Sequence, residues 1–237
     1  MNSLLEPLAV RVRGLSISAA ALCSAGIACA GPVPGQGDWE TTLQARDING
    51  DGIVDAYYDT ALNITWLANA NAGAGSAYDD GANTTDGRMT YASAQSWVAS
   101  LDVYGVGGWR LPTMIGASTT NSEISHMYCV ALGDFGPCNP LTSTPPGTWG
   151  FTNTGPFSNL LSQFFWTATV AAPGVAWAWA ADPISAYHTQ EPVGNHNLAW
   201  AVHSGDIMAA VPEPSNYALL LLGLVGLYAA RRGVPLR

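Results

Sequence analysis

The chain has 237 residues and a formal net charge of −9 at pH 7, from 8 basic and 17 acidic side chains. All the basic residues are arginines, and five of them lie among the first 13 or the last 7 residues, so the central part carries three arginines against fifteen carboxylates. Phosphate recognition needs clustered cations, which excludes nucleic acid as an expected partner. The roughly 180 central residues suffice for one domain with its own core.

The first 30 residues are expected to form a secretory signal peptide. Arg11 and Arg13 precede an apolar stretch at residues 15–28, and residues 28–30 (Ala-Cys-Ala) supply a small-residue cleavage site. The mature protein is therefore expected to begin at Gly31 and to fold outside the cytoplasm.

Residues 31–54 are expected to hold a first strand, at residues 39–46, and an Asp/Asn-rich turn. Four oxygen-bearing side chains of this turn fall at positions 1, 3, 5 and 9 of an EF-hand-type calcium loop: Asp47, Asn49, Asp51 and Asp55. Gly52 occupies position 6, where the loop turns sharply, but position 12 is Tyr58 rather than a bidentate glutamate. Two interpretations stay open, a calcium site and a solvated turn between two strands.

The next segments predict a hairpin, a long loop and two helices. Residues 56–59 and 63–67 are expected to pair, and residues 68–88 form a Gly/Asn/Asp loop that is solvated or holds calcium through Asp79, Asp80 and Asp86. Thr90 is the expected cap of a first helix with apolar residues at helical spacing. A second helix is expected at residues 121–132, ended by Gly133.

The remaining segments predict short strands. Alternating aromatic, alanine and β-branched residues at 165–169, 175–180 and 198–203 are typical of half-buried strands. Two successive helices followed by short antiparallel strands predict an α+β domain.

Two cysteines remain in the central region, Cys129 and Cys138. In an exported protein a pair this close is expected to form a disulfide. His126 lies one helical turn before Cys129, so a His-Cys nucleophile pair or a zinc site is the alternative. Either alternative needs further ligands or an orienting group, which this spacing does not supply. The four histidines of the chain are His126, His188, His196 and His203, and a metal site among the last three is a further alternative to ordinary surface positions.

Residues 211–235 carry an addressing pattern. An uncharged run at residues 217–230 would span about 21 Å as a helix, less than the roughly 30 Å hydrocarbon core. Arg231 and Arg232 follow it and favour a cytoplasmic C-terminus. Pro212 and Pro214 keep Glu213 in an extended, accessible segment.

This order of Pro212-Glu213-Pro214, apolar helix and arginine cluster resembles the PEP-CTERM sorting signal of Gram-negative bacteria. The resemblance implies recognition by an exosortase, a membrane cysteine transpeptidase that cleaves near the Pro-Glu-Pro. It also implies transient membrane association, with an inner-membrane intermediate whose domain faces the periplasm, followed by display on the cell surface or release.

A second resemblance covers residues 55–207. A helix, the motif Trp109-Arg110-Leu111-Pro112-Thr113, a second helix and strands at 165–169 and 201–202 are similar to the DUF1566 family, which includes the C-terminal domain of the Lcl adhesin. The resemblance implies a fold like those of C-type lectins and the formylglycine-generating enzyme. His203 stands where the family often has an arginine. Arg110 is expected to pair with a carboxylate inside the fold, and gripping a ligand is the alternative.

The favoured function is that of an exported, non-enzymatic cell-surface or matrix protein with a lectin-like module for exopolysaccharide. Its sugar-stacking residues are expected among Trp177, Trp179 and Trp200. Residues 190–193 (Gln-Glu-Pro-Val), followed by Asn195, partly match a lectin sugar-binding signature. The alternatives are an enzyme on the formylglycine-enzyme scaffold, using Cys129 and Cys138, and a purely structural matrix protein.

Overall fold

The last segment of the fold, residues 197–204, connects its two antiparallel sheets. In the computed structural model, which describes residues 36–114, 122–135, 150–172, 174, 176–183 and 187–208, this segment first bridges one sheet and then pairs in the other. The predicted signal peptide, the predicted sorting signal at residues 211–235 and Cys138 lie outside the described residues. No helix within the described ranges is long and apolar enough to cross a membrane.

The first sheet contains four strands in the order β1-β2-β3-β7. The strands are β1 (Leu43–Arg46), β2 (Ala56–Asp59), β3 (Ile64–Leu67) and β7 (Val202–Ser204). All neighbours are antiparallel, and β2 and β3 form the predicted hairpin, with Ala56 opposite Leu67 and Asp59 opposite Ile64. The Asp59 carboxylate stabilises the hairpin turn by accepting hydrogen bonds from the backbone amides of Ala61 and Leu62. Because β1 pairs with β2, residues 43–46 belong to the same sheet as the hairpin.

The first predicted strand, residues 39–46, is only half correct. Residues Trp39–Thr42 form a helical turn, α1, and the strand begins at Leu43. The carbonyl oxygen of Asp38 accepts hydrogen bonds from the backbone amides and hydroxyls of both Thr41 and Thr42. These local bonds close the chain into a turn, which an extended backbone could not form.

The second sheet contains β4 (Phe165–Val170), β5 (Trp177–Asp182) and β6 (Tyr187–Pro192), paired antiparallel in that order. The sequence predicted β4 and most of β5, but it missed β6. It also predicted one continuous strand at residues 198–203, whereas Leu198 makes an isolated parallel bridge to Phe165 and strand pairing with β3 begins only at Val202. The chain crosses from one sheet to the other between these two pairings.

Two helical segments cover the sheets. The first is α2 (Tyr91–Ser100), and its N-cap Thr90 accepts a hydrogen bond from the backbone amide of Ser93, as predicted. The predicted second helix is shorter and is α-helical only at its start: α3 (Glu123–His126) follows the N-cap Ser122 and continues as a π-helical segment, Met127–Ala131. Gly133 follows at a φ of 67°, and a Cβ there would lie 2.3 Å from the backbone nitrogen of Gly37. Only glycine fits both constraints.

Three fully buried tryptophans, Trp66, Trp166 and Trp200, fill the core. The rings of Trp66 and Trp200 lie 4.5 Å apart, and Phe157 packs edge-on against Trp200 at 4.8 Å. The Trp200 Nε1 donates to the carbonyl oxygen of Leu67 at 2.9 Å, and the Trp166 Nε1 donates to that of Met89 at 2.8 Å. Helices packed with antiparallel sheets around this core confirm the predicted α+β class.

Replacing Trp200 with alanine is expected to lower the free energy of unfolding by about 3–5 kcal/mol, because it leaves a cavity between the sheets. It also leaves the Leu67 carbonyl without its indole donor. Urea denaturation measures the change. Trp177→Ala is the matched control, since Trp177 is 45% exposed, and should change the same quantity by no more than about 0.5 kcal/mol. Equal losses in the two variants would contradict the assigned core.

Candidate functional site

The Asp/Asn-rich turn between β1 and β2 is held by hydrogen bonds between its own residues. The Asp47 Oδ1 accepts from the backbone amides of Gly50 and Asp51, and its Oδ2 accepts from that of Gly52 at 2.7 Å. The Asn49 Nδ2 donates to Asp51, and the Asp55 carboxylate accepts from the backbone amide of Ile48. The four predicted calcium ligands therefore lie in one turn, with their oxygens engaged by N–H groups.

The donor oxygens of this turn are already engaged in ways that do not suit a hard cation. Calcium prefers six to eight oxygen ligands, and the Asp47 Oδ1 already accepts two hydrogen bonds. Across the described ranges, no group of three or more His, Cys, Asp or Glu side chains is arranged to hold a metal ion. The interpretation as a solvated turn fits the observed contacts, and calcium at this turn stays a prediction.

The motif at residues 109–113 joins the last strand to α3. The Arg110 guanidinium makes two bonds of 2.8 Å to the Glu123 carboxylate, which also accepts from the backbone amide of Thr113. The Arg110 backbone exchanges two 2.8 Å hydrogen bonds with Val202. Trp109 and Leu111 are buried. The predicted pairing of Arg110 with an internal carboxylate is confirmed, and this engagement argues against the ligand-gripping alternative.

Cys129 is 3% exposed and is bonded in a disulfide. Its predicted partner, Cys138, lies outside the described residues, so that pairing stays a prediction. A cysteine in a disulfide has no thiolate to act as a nucleophile.

The four histidines lie in four different surroundings. His126 is close enough to Asp59 to offset part of the rise that burial causes in the pKa of that carboxyl. The His196 Nε2 lies 3.7 Å from an oxygen of Asp80, and His203 packs edge-on against Trp109. His188, on β6, contacts the N-terminal turn of α3. They do not form the common metal site that was considered for the last three.

His188 and Asp134 are titratable groups inside the fold. The His188 Nε2 lies 3.0 Å from the hydroxyl of Ser122 and 3.2 Å from that of Ser125, and burial lowers its pKa to about 4. Asp134 accepts hydrogen bonds from the backbone amides of Thr152 and Asn153, yet burial raises its pKa to about 6. Burial therefore shifts both groups toward their neutral forms: the imidazole is neutral at pH 7, and the carboxyl stays protonated to a higher pH than an exposed aspartate does.

One exposed aromatic surface lies on β5. In its Trp-Ala-Trp-Ala alternation, Ala178 and Ala180 are fully buried, whereas Trp177 is 45% exposed and Trp179 is partly buried. Successive side chains of a strand point to opposite faces, so the two tryptophans share the outer face. Gln190 on β6 lies opposite Trp179, on the same face. We call Trp177, Trp179 and Gln190 the tryptophan strip.

Both ends of the tryptophan strip have defined surroundings. Ala171, Ala172, Trp177 and Gln190 line a shallow depression of about 300 Å³ at its exposed end. Toward the other end of β5, Ala181 lies opposite His188, where α3 contacts the sheet. The end of the strip at Trp179 therefore faces the part of the sheet that α3 contacts, and the end at Trp177 is exposed to solvent.

One sequence prediction about this region is wrong, and the partial lectin signature at residues 190–193 is divided between the two faces of the sheet. Trp200 cannot stack on a sugar, because it is fully buried between the two sheets. Glu191 lies opposite Ala178 and thus on the other face from the strip, where it accepts a 2.6 Å hydrogen bond from the Asn195 side chain. Within the partial lectin signature at residues 190–193, Gln190 lies on the same face as the two tryptophans, and Glu191 does not.

A second concavity, which the sequence did not predict, lies between the C-terminal end of β3 and the loop after α2. It is a groove of about 550 Å³ whose lining includes Ile53, Asp55, Asp102 and Tyr104. Tyr104 is 61% exposed and has a φ of 52°, and Gly105 follows at 88°. Val103 and Val106 exchange two hydrogen bonds across these residues, so the turn is of type I′. In the sequence, the Tyr104-Gly105 pair could have predicted this turn, because glycine is favoured at the second central position of a type I′ turn.

Comparisons with known proteins assign no family to this chain. A scan against protein-family models finds no match, and a search of curated proteins finds no significant match. The two resemblances seen in the sequence therefore stay predictions, and the geometry of the exposed surfaces carries the functional proposal.

The two interior groups predict opposite pH effects on stability. The folded pKa of Asp134, about 6, exceeds its ordinary value of 3.8, so its contribution to the free energy of unfolding falls as pH rises from 4 to 6. The folded pKa of His188, about 4, is below its ordinary value of 6.5, so its contribution rises between pH 4 and 6.5.

Single variants separate these contributions. The free energy of unfolding of Asp134→Asn minus that of wild type should increase from pH 4 to 6, and the free energy of unfolding of His188→Gln minus that of wild type should decrease over the same range. Urea denaturation at pH 4, 5, 6 and 7 measures both differences. Profiles parallel to that of wild type would show that neither group titrates as described.

Proposed function

We propose that this protein is exported and binds an extracellular polysaccharide through the tryptophan strip. The observation that carries the proposal is Trp177, a tryptophan 45% exposed on the flat outer face of a strand. Exposed indole loses hydration when an apolar surface covers it, and the C–H face of a pyranose ring is such a surface. The Gln190 amide beside it supplies one hydrogen-bond donor group and one acceptor for sugar hydroxyls.

The spacing of the strip favours an extended polymer. Trp177 and Trp179 are alternate residues of one strand, about 7 Å apart along it. Two aromatic faces in a row support successive rings of a chain better than a single small sugar. The depression is shallow and open to solvent rather than enclosed, which suits a polymer better than a closed pocket would.

Charge restricts the class of polysaccharide. All three arginines of the described part of the chain have partners elsewhere: Arg46 with Asp206, Arg88 with Gln163 and Arg110 with Glu123. The whole chain carries a net charge of −9. An acidic surface repels uronate or sulfate groups. Neutral or amino-sugar polymers are therefore the proposed ligands.

The C-type-lectin-like fold over residues 55–207 is part of this proposal. Its supports are the α+β class, the two helices and the pairing of the last strand, β7, with β3 near the start of the domain. The Arg110–Glu123 pair beside that pairing is a further support, since it gives the family-like motif a structural role.

Export and sorting complete the proposal. The pattern at residues 211–235 supports processing by an exosortase after passage through an inner-membrane intermediate, with the domain finally on the cell surface or in the matrix. The alternative of an enzyme with a cysteine nucleophile is less favoured, because Cys129 is bonded in a disulfide. A purely structural matrix protein is the remaining alternative.

Trp177→Ala is expected to weaken binding to neutral polysaccharide at least about tenfold, equivalent to about 1.4 kcal/mol. Affinity electrophoresis of the full-length protein through gels containing defined polysaccharides measures this loss. Tyr104→Ala is the matched control, since Tyr104 is the exposed aromatic of the other concavity, and it should bind as wild type does. Loss in the Tyr104 variant alone would move the site to the groove, and no binding by wild type would favour the structural role.

Glu213→Ala is expected to leave the protein in the inner membrane, because the change removes the acidic residue between Pro212 and Pro214 that the exosortase would recognise. Fractionation of cells that express wild type or variant measures the distribution. Glu40→Ala, a change at an exposed acidic residue of α1, controls for loss of charge and should be sorted normally. Normal surface display of the Glu213 variant would refute the sorting assignment.

A further inference from the structure

Two buried side-chain oxygens in the loop between β3 and α2 have no hydrogen-bond partner within the described part of the chain. They are the Oδ1 of Asp79 and the Oδ1 of Asn71. Asp79 is 3% exposed and Asn71 is 9% exposed. A buried carboxylate oxygen without a partner costs several kcal/mol unless something compensates its charge.

The loop fixes both side chains through their other atoms. The Asp79 Oδ2 accepts hydrogen bonds from the backbone amides of Gly75, at 3.0 Å, and Gly87, at 2.8 Å. The Asn71 Nδ2 donates to the carbonyl oxygen of Asp86 at 3.0 Å, which sets the amide orientation and leaves its oxygen as the open atom. Both side chains are therefore held in place, and their open oxygens are not the result of loose side chains.

Gly87 brings the two side chains together. Its amide bonds Asp79, and a Cβ at this position would lie 1.8 Å from the Asn71 Oδ1. Gly87 also has a φ of 81°, which only glycine adopts at little cost. Asp79, through its Oδ2, and Asn71, through its Oδ1, therefore both lie beside Gly87.

The neighbouring acidic residues do not share this feature. Asp80 accepts bonds from Thr90 and Ser93, and the Asp86 Oδ1 accepts from the backbone amide of Arg88. The Arg88 guanidinium bonds Gln163 instead of Asp79. Asp79 is thus a buried carboxylate whose open oxygen no protein cation compensates within the described ranges.

From this arrangement we propose that Asn71 and Asp79 form a binding site for a divalent cation with the ligand preferences of calcium. Carboxylate and Asn side-chain oxygens are standard calcium ligands, and water and backbone carbonyls complete such sites. With one carboxylate, affinity falls in the weak range of extracellular modules, about 10⁻⁴ to 10⁻³ M. The site is distinct from the turn at residues 47–55 and from the tryptophan strip, and it does not depend on the proposed function.

The test uses terbium, which replaces calcium and luminesces when nearby Tyr or Trp absorbs. Full-length protein freed of metals by a chelator is titrated with terbium and then with calcium as competitor. Wild type should show saturable luminescence that millimolar calcium displaces. Asp79→Asn keeps the shape but removes the charge, and it should weaken binding at least tenfold. Asn71→Asp adds a second carboxylate and should tighten binding.

Asp51→Asn is the matched control, because it removes one carboxylate from the turn at residues 47–55. It should leave the calcium-displaceable signal of the Asn71–Asp79 site unchanged. The proposal fails if wild type shows no saturable binding, in which case water or a proton occupies the open oxygens. It also fails if Asp79→Asn binds as wild type does, or if Asp51→Asn abolishes the signal. Should Asp79→Asn not fold by circular dichroism, unchanged affinity in Asn71→Asp overturns the proposal by itself.

Discussion

The fold depends on the burial of Trp200 where residues 197–204 cross from one sheet to the other. Its ring packs on Trp66 and Phe157, and its Nε1 donates to the Leu67 carbonyl at the end of β3. A large apolar ring thus joins the two sheets, while a single hydrogen bond satisfies its polar atom. The same short segment pairs with β4 through Leu198 and with β3 through Val202, so the sheets cannot separate without exposing it.

The outer face of the second sheet is buried at one end and exposed at the other. On the inner face of β5, Ala180 lies opposite the buried Trp166, and the bulky Trp177 and Trp179 are directed to the other face. On this face α3 contacts the sheet at His188. The side chains of β5 that share the face therefore become less buried from Ala181 through Trp179 to Trp177. An exposed indole on a flat, rigid strand is a surface suited to apolar ring faces, and its rigidity limits the entropy lost on binding.

Charge has a similarly uneven distribution. The few arginines are used in internal or surface pairs with Asp206, Gln163 and Glu123, which leaves an acidic surplus over the domain. That surplus disfavours anionic polymers at the strip and favours divalent cations where a buried carboxylate keeps one oxygen open, as at Asp79. One compositional property therefore supports both the proposed class of polysaccharide and the proposed cation site, although the two sites are separate.

Local patterns in the sequence determined much of this protein: the α+β class, the β2–β3 hairpin, the Thr90 cap, most of β4 and β5, and an arginine that needs an internal carboxylate. These depend on periodicity, capping and charge balance, which act between neighbouring residues. Only the tertiary structure decided which tryptophans are accessible, because Trp177 and Trp200 both alternate with alanines. Alternation tells which residues share a face, but the packing of distant segments decides whether that face is covered. The same reason applies to Asp79, because only the folded loop buries its Oδ1 without a protein hydrogen-bond partner.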